Sequence, residues 1–116
     1  IAAFLQSELC SRIRTADRVW REYRFALLVE AALYNPAAAG EEMMLQGVAD
    51  VCFETAEGLV IADFKTDRLA AGEALQRAQR YRPQLEAYSR ALSRVLEKPV
   101  LEKVLYFFST GETIGL

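Results

Sequence analysis

The sequence predicts an α/β fold, a mixed central β-sheet flanked by helices, and three observations carry that expectation. Residues 44–53 and 59–66 are apolar, of strand length, and separated by Glu54-Thr55-Ala56-Glu57-Gly58, a hairpin-like turn ending in glycine. After them Leu85, Tyr88, Leu92, Val95 and Leu96 recur at helical spacing. A third apolar strand segment, residues 100–108, begins after Pro99. Strand, hairpin, helix, strand is the order of a sheet whose faces are covered by helices.

The remaining elements follow in order. Residues 7–14 read as a short helix, with Ser7 placed to cap it and Leu9 and Ile13 as an i, i+4 apolar pair. Residues 19–29 read as a strand, although Val19, Arg21, Tyr23, Phe25 and Leu27 alternate only partially with their neighbours in polarity. Residues 35–42, with Pro36 and Gly40, form a loop. Residues 66–72 make a connector ending in a turn-like glycine, and residues 73–80 a short helix. Pro83 lacks an amide proton and suits the first turn of a helix, so the main helix is expected to start anew at about Arg82 and run to Leu96. There is no internal repeat, low-complexity tract or sign of a second domain.

A chain of 116 residues with 53% hydrophobic content can bury a real core, which excludes a disordered chain. No apolar run approaches the length of a membrane span. The opening Ile1-Ala2-Ala3-Phe4-Leu5 has neither an initiating methionine nor a basic leader, so a chain cut from a longer cytoplasmic polypeptide is expected. The net charge of −2 supplies no global field for nucleic acid. Arg12, Arg14, Arg18, Arg21 and Arg24, and then Arg77, Arg80 and Arg82, form either a local phosphate-binding strip or a solvated face. With no histidine and only Cys10 and Cys52, 42 residues apart, a zinc site or iron–sulfur cluster within this chain is not expected. The two cysteines read as reduced thiols, with a disulfide as the alternative.

The chemistry concentrates on the hairpin. Strand side chains alternate, so Asp63 and Lys65 project from one side and Phe64 from the other. Pairing of the two strands brings Asp50 beside them. Two carboxylates and an ammonium in one small apolar-edged volume are costly unless a cation is to occupy it. Mg²⁺ takes about six oxygens at roughly 2.1 Å and commonly uses one or two carboxylates plus water. Asp50, Asp63 and the Phe64 main-chain carbonyl are candidate ligands, and Mn²⁺ is the expected substitute. Lys65 could orient an attacking hydroxide or neutralise charge on a phosphate. Gln84 and Tyr88, at i and i+4, project from nearly one helix face toward the same sheet.

Gly47-Val48-Ala49-Asp50, Val60-Ile61-Ala62-Asp63-Phe64-Lys65-Thr66-Asp67 and Tyr81-Arg82-Pro83-Gln84-Leu85-Glu86-Ala87-Tyr88 closely resemble, in order, the motifs of RecB-like nucleases of the PD-(D/E)XK superfamily. Arg21-Glu22-Tyr23-Arg24-Phe25 is similar to the strand that precedes them. The ensemble is most similar to the C-terminal nuclease domain of AddA-type helicase–nuclease subunits. The resemblance implies a restriction-endonuclease-like core and a Mg²⁺-dependent exonuclease domain fed single-stranded DNA by a helicase elsewhere in the polypeptide. It also implies a partner of the AddB type, and a role in processing double-strand breaks for recombinational repair. Cleavage would leave a 5′-phosphate and a 3′-hydroxyl. Carried over by position, Asp50 and Asp63 are metal ligands, Lys65 is the catalytic lysine, and Gln84 and Tyr88 match the Q-x-x-x-Y motif.

The family commonly adds a metal-ligating histidine on an upstream helix. This chain has none, so that helix is expected to be missing and the chain alone to be weakly active or inactive. Iron–sulfur clusters of some relatives need cysteines absent here. The alternative is a non-catalytic DNA-binding or subunit-docking module on the same scaffold, although Asp50, Asp63 and Lys65 are all retained. A small-molecule-binding α/β domain has no glycine-rich phosphate loop in its favour.

Overall fold

Strand pairing organises the molecule. The computed structural model describes residues 2–116. Five strands, β1 (Arg18–Glu30), β2 (Glu42–Glu54), β3 (Leu59–Lys65), β4 (Val100–Phe107) and β5 (Glu112–Gly115), lie side by side in chain order. All neighbours are antiparallel except β3 and β4, which are parallel because a helix crosses between them. The sheet is therefore mixed, as the order of elements requires.

The helices divide between the faces. On one side α1 (Ala2–Leu5) and α2 (Glu8–Arg14) cover Val51, Phe53, Val60, Ala62, Val104 and Tyr106, with Leu9 and Ile13 buried against them. Ser7 caps α2, its Oγ accepting from the Cys10 amide at 3.1 Å. On the other side α3 (Ala74–Val95) packs over Phe25, Ala49, Cys52, Leu59, Ile61, Leu105 and Phe107. Cys52 belongs to this second cluster while Cys10 sits on α2, so the sheet separates two free thiols. Burial pushes the Cys52 thiol up to about 11.

Two expectations are corrected. Residues 74–95 form one helix rather than two, and Pro83 lies inside it. The apolar phase explains this: Ala74, Ala78, Tyr81, Leu85, Tyr88 and Leu92 follow one another at spacings of four and three, straight through the proline. Pro83 itself is exposed, so its ring and the missing hydrogen bond face water, not the sheet. The sequence marks the stripe clearly only from Leu85 onward because its first members are alanines. Its far end also differs, for Val95 is exposed and Leu96 caps the helix. Glu97 then turns left-handed (φ 55°) and the Lys98 amide reaches back to the Ser93 carbonyl, a Schellman closure before Pro99.

The second correction adds β5. Four residues alternating between half-buried and exposed, ending on glycine, carry too little apolar pattern to be read as a strand. They are recruited by the edge of β4 through the turn at Gly111 (φ 72°), whose amide donates to the Phe107 carbonyl at 2.8 Å.

Because Pro83 breaks the backbone ladder of an otherwise continuous helix on its wet side, Pro83→Ala should stabilise the chain by about 2 kcal/mol. Urea unfolding measures this. An unchanged or lower midpoint would mean that the proline fits the helix without strain.

Candidate functional site

The site lies where β2 and β3 part. The two strands pair in register from Glu54↔Leu59 to Val51↔Ala62 and no further. The next pair in that register is Asp50 and Asp63, whose side chains meet at the fork. The Asp50 carboxylate accepts a hydrogen bond from the Phe64 amide at 2.9 Å, a bond that replaces the lost ladder.

A matched break in β1 and β2 turns Asp50 outward. Pairing is regular at Arg21↔Val51 and at Tyr23↔Ala49 but skips Glu22 and Asp50 between them. Trp20 and Tyr23 both lean toward α3, as do their partners Cys52 and Ala49. Successive inward positions on each strand thus lie three residues apart where a step of two is normal. Glu22 absorbs the change with φ 48°, a left-handed conformation that costs a non-glycine residue on the order of 1 kcal/mol. This flip is the reason that residues 19–29 alternate only partially in polarity. It also places Arg21, Glu22, Asp50 and Val51 on the α2 side, around a cavity of about 690 Å³ shared with Arg14 and Phe64.

Asp63 and Lys65 share a side of β3. Lys65 Nζ lies 2.7 Å from Asp63 Oδ2, a close ion pair in which the carboxylate side is buried. Burial raises the Asp63 carboxyl, and the nearby Asp50 carboxylate raises it further. Lys65 only partly offsets them, leaving a value of about 6. Lys65 Nζ also donates to Gln84 Oε1 at 3.4 Å, and Gln84 Nε2 donates to the Tyr88 hydroxyl at 3.4 Å. Tyr88 stands edge-on to Phe25 at 5.0 Å and lies flat over Gly47, where an added Cβ would come within 2.7 Å of its hydroxyl. Glycine at that position of β2 lets the ring reach the site. Asp50, Asp63, Lys65, Gln84 and Tyr88 thus form one contiguous group.

Residues not singled out from sequence join them. The Tyr81 ring lies under Lys65 Nζ, 4.1 Å from its centroid, and the Tyr81 hydroxyl donates to Asp67 at 2.8 Å. Asp67 also receives Arg77 Nη1 at 2.9 Å. The signal was present in the spacing: Arg77, Tyr81, Gln84 and Tyr88 step by four, three and four along one face of α3. The arginines do not form one strip. Arg12 pairs with Glu102, Arg77 with Asp67 and Arg82 with Gln79, while Arg14 and Arg21 border the Asp50 cavity.

Among the described residues no three His, Cys, Asp or Glu side chains gather as a metal cage, so the site offers two carboxylates at most, beside main-chain oxygen. Among these residues no helix is long and apolar enough to cross a membrane.

Comparison with known proteins assigns the family. Residues 2–114 match the PD-(D/E)XK nuclease superfamily. The chain is 41% identical over 103 residues to an ATP-dependent helicase/nuclease subunit of Desulforudis audaxviator, a match that covers 84% of this chain and 8% of that protein. Its counterparts in Acetivibrio thermocellus and Bacillus velezensis are 37% and 34% identical, covering 99% and 100% of this chain and 10% of each relative. The chain therefore spans about a tenth of the length of these relatives. With residues 2–114 matched, this chain belongs to the PD-(D/E)XK nuclease superfamily.

Proposed function

We propose that this chain is a metal-dependent deoxyribonuclease domain, an exonuclease unit that cleaves single-stranded DNA to leave a 5′-phosphate and a 3′-hydroxyl. It forms one domain of a longer cytoplasmic polypeptide whose helicase portion delivers the strand. That polypeptide works with a partner of the AddB type in processing double-strand breaks for recombinational repair, a role supported by the likeness to ATP-dependent helicase/nuclease subunits. The observation that carries the reading is the meeting of Asp50 and Asp63 at the β2–β3 fork, with Asp63 buried beside the Lys65 ammonium.

The donor set fits a hard divalent cation. Two carboxylates and a main-chain carbonyl, that of Phe64, match the partial protein coordination that Mg²⁺ accepts, and Mn²⁺ would substitute. The raised Asp63 carboxyl, buried beside Asp50, is what a cation would relieve. When bound, such an ion makes a coordinated water more acidic and stabilises charge on the phosphate.

The chain's own residues do the rest. The Phe64 amide holds the Asp50 carboxylate at the fork. Lys65, on the same side as Asp63, presents its ammonium where a scissile phosphate would gain negative charge. Gln84 holds that ammonium from the helix side and is itself oriented by the Tyr88 hydroxyl. A docking module without catalysis has no use for this gathered set of charges.

In the helicase–nuclease polypeptide, Asp63→Ala should abolish DNA cleavage and leave ATP hydrolysis largely intact. Loss of both in equal measure would contradict a local role. Lys65→Ala should cut cleavage on the order of 100-fold or more while retaining Mn²⁺ binding, as expected for a group that stabilises the transition state rather than the metal. Calorimetry beside a strand-cleavage assay separates the two.

Asp63 also imposes a pH dependence on the metal-free chain. Its folded value of about 6 lies above the ordinary carboxylate value of 3.8, so the folded state holds the proton more tightly. That contribution is complete below the ordinary value and is lost as pH rises through about 6. Stability should therefore fall by on the order of 2 kcal/mol from pH 4.5 to pH 7.5 in metal-free buffer, and Asp63→Asn should flatten the profile. Urea melts across that range test this, and identical profiles for the two proteins would contradict it.

A further inference from the structure

We infer that Tyr81 is a positioning residue for Lys65: its ring face, locked by the bond from its hydroxyl to Asp67, holds the lysine ammonium between Asp63 and Gln84. The catalytic consequence of this placement rests on the nuclease reading above. The placement itself does not.

A lysine is a poor candidate for fixed geometry. Its four-carbon stem rotates freely, and its ammonium is a point charge without a preferred plane. Lys65 is moreover the last residue of β3, where the ladder gives way to a connector. Two polar contacts hold Nζ, an ion pair with Asp63 at 2.7 Å and a long bond to Gln84 Oε1 at 3.4 Å, and neither restrains the flexible stem. A third wall is needed. The Tyr81 ring supplies it at 4.1 Å, within the range over which an aromatic face attracts a cation.

The ring is in turn held. Its hydroxyl donates to both oxygens of Asp67, at 3.0 and 2.8 Å, and Asp67 takes a charged hydrogen bond from Arg77 at 2.9 Å. Burial opposes ionisation of Asp67, but the bonds from Tyr81 and Arg77 outweigh it and hold the carboxyl below its ordinary value. The same bond keeps the Tyr81 hydroxyl protonated by raising its pKa. Asp67 follows Lys65 by two residues, while Arg77 and Tyr81 stand one turn apart on α3. The network therefore ties the connector leaving β3 to the helix that carries Gln84 and Tyr88. With its hydroxyl committed to Asp67, Tyr81 acts through Lys65 and not on a substrate.

A tyrosine that merely filled space would be replaceable by any apolar side chain of similar bulk. Tyr81→Leu and Tyr81→Phe separate the two roles, since leucine removes the ring and phenylalanine keeps it. The first readout is the ¹H–¹³C spectrum of the ¹³C-lysine-labelled chain, with Lys65 assigned from Lys65→Arg. The Lys65 ε-methylene protons should be shifted upfield by the ring, remain so in Tyr81→Phe, and return to the ordinary lysine position in Tyr81→Leu. The second is metal-dependent cleavage of single-stranded DNA by the helicase–nuclease polypeptide carrying the same substitutions. Tyr81→Leu should lower kcat on the order of 10- to 100-fold with KM and Mn²⁺ binding unchanged, and Tyr81→Phe should restore most of it.

An ordinary Lys65 shift in the unsubstituted chain, a shift unmoved by Tyr81→Leu, or equal loss of activity in both variants would overturn the inference. Should the unsubstituted helicase–nuclease polypeptide cut no DNA, the nuclease reading loses support and the spectra alone decide the placement. Should Tyr81→Leu fail to fold, Tyr81→Met takes its place: it too removes the ring and should return the Lys65 shift to the ordinary position, and a full shift would overturn the proposal.

Discussion

Two carboxylates facing each other at the point where a strand pair opens set the terms for the rest of this structure. Asp50 and Asp63 occupy the first register position past the last β2–β3 pair, and Asp63 is 5% exposed. Burial raises the Asp63 pKa, and the Asp50 carboxylate beside it raises it further. Each neighbouring feature answers that cost. The Phe64 amide supports Asp50, Lys65 opposes Asp63, and α3 brings Gln84, Tyr88 and Tyr81 over the lysine. The strained Glu22 permits the paired flip of β1 and β2 that turns Asp50 toward open space. Strain and buried charge in one place are features that a packed core avoids, and they persist where the surrounding fold over-determines them.

The rigidity comes from helix α3. Its alanines at positions 74 and 78 are fully buried and let the first turns approach the sheet closely, while Leu85 and Leu92 anchor the later ones. Between these anchors the same face presents polar groups to the fork. A helix that carries core and site on one stripe cannot move one without the other. This accounts for a continuous helix through Pro83, because a break there would release Tyr81 from Gln84 and Tyr88.

Much of this was legible in the chain itself. The hairpin, the shared side of Asp63 and Lys65, the Ser7 cap and the strand after Pro99 follow from side-chain alternation, turn chemistry and capping, all local rules. What escaped was non-local or weakly marked. Pro83 argues locally for a helix start, and only the phase of alanines upstream of it argues otherwise. Strand β5 exists because β4 has an edge to pair with, which no property of residues 112–115 announces. The flip at Glu22 left a trace as faulty alternation, but its meaning required the matching flip opposite it in β2. Tyr81 read as part of a motif segment, and its role became visible once the connector placed Asp67 beside it.

The central claim is that the Asp50–Asp63 fork is built to hold a divalent cation. Calorimetric titration of Mn²⁺ into this chain and into Asp63→Ala, at a pH above 7 where the site is ionised, tests it most directly. Saturable binding of Mn²⁺ to the unsubstituted chain that disappears in Asp63→Ala is the expected result. Equal binding to both proteins, or none to either, would contradict it.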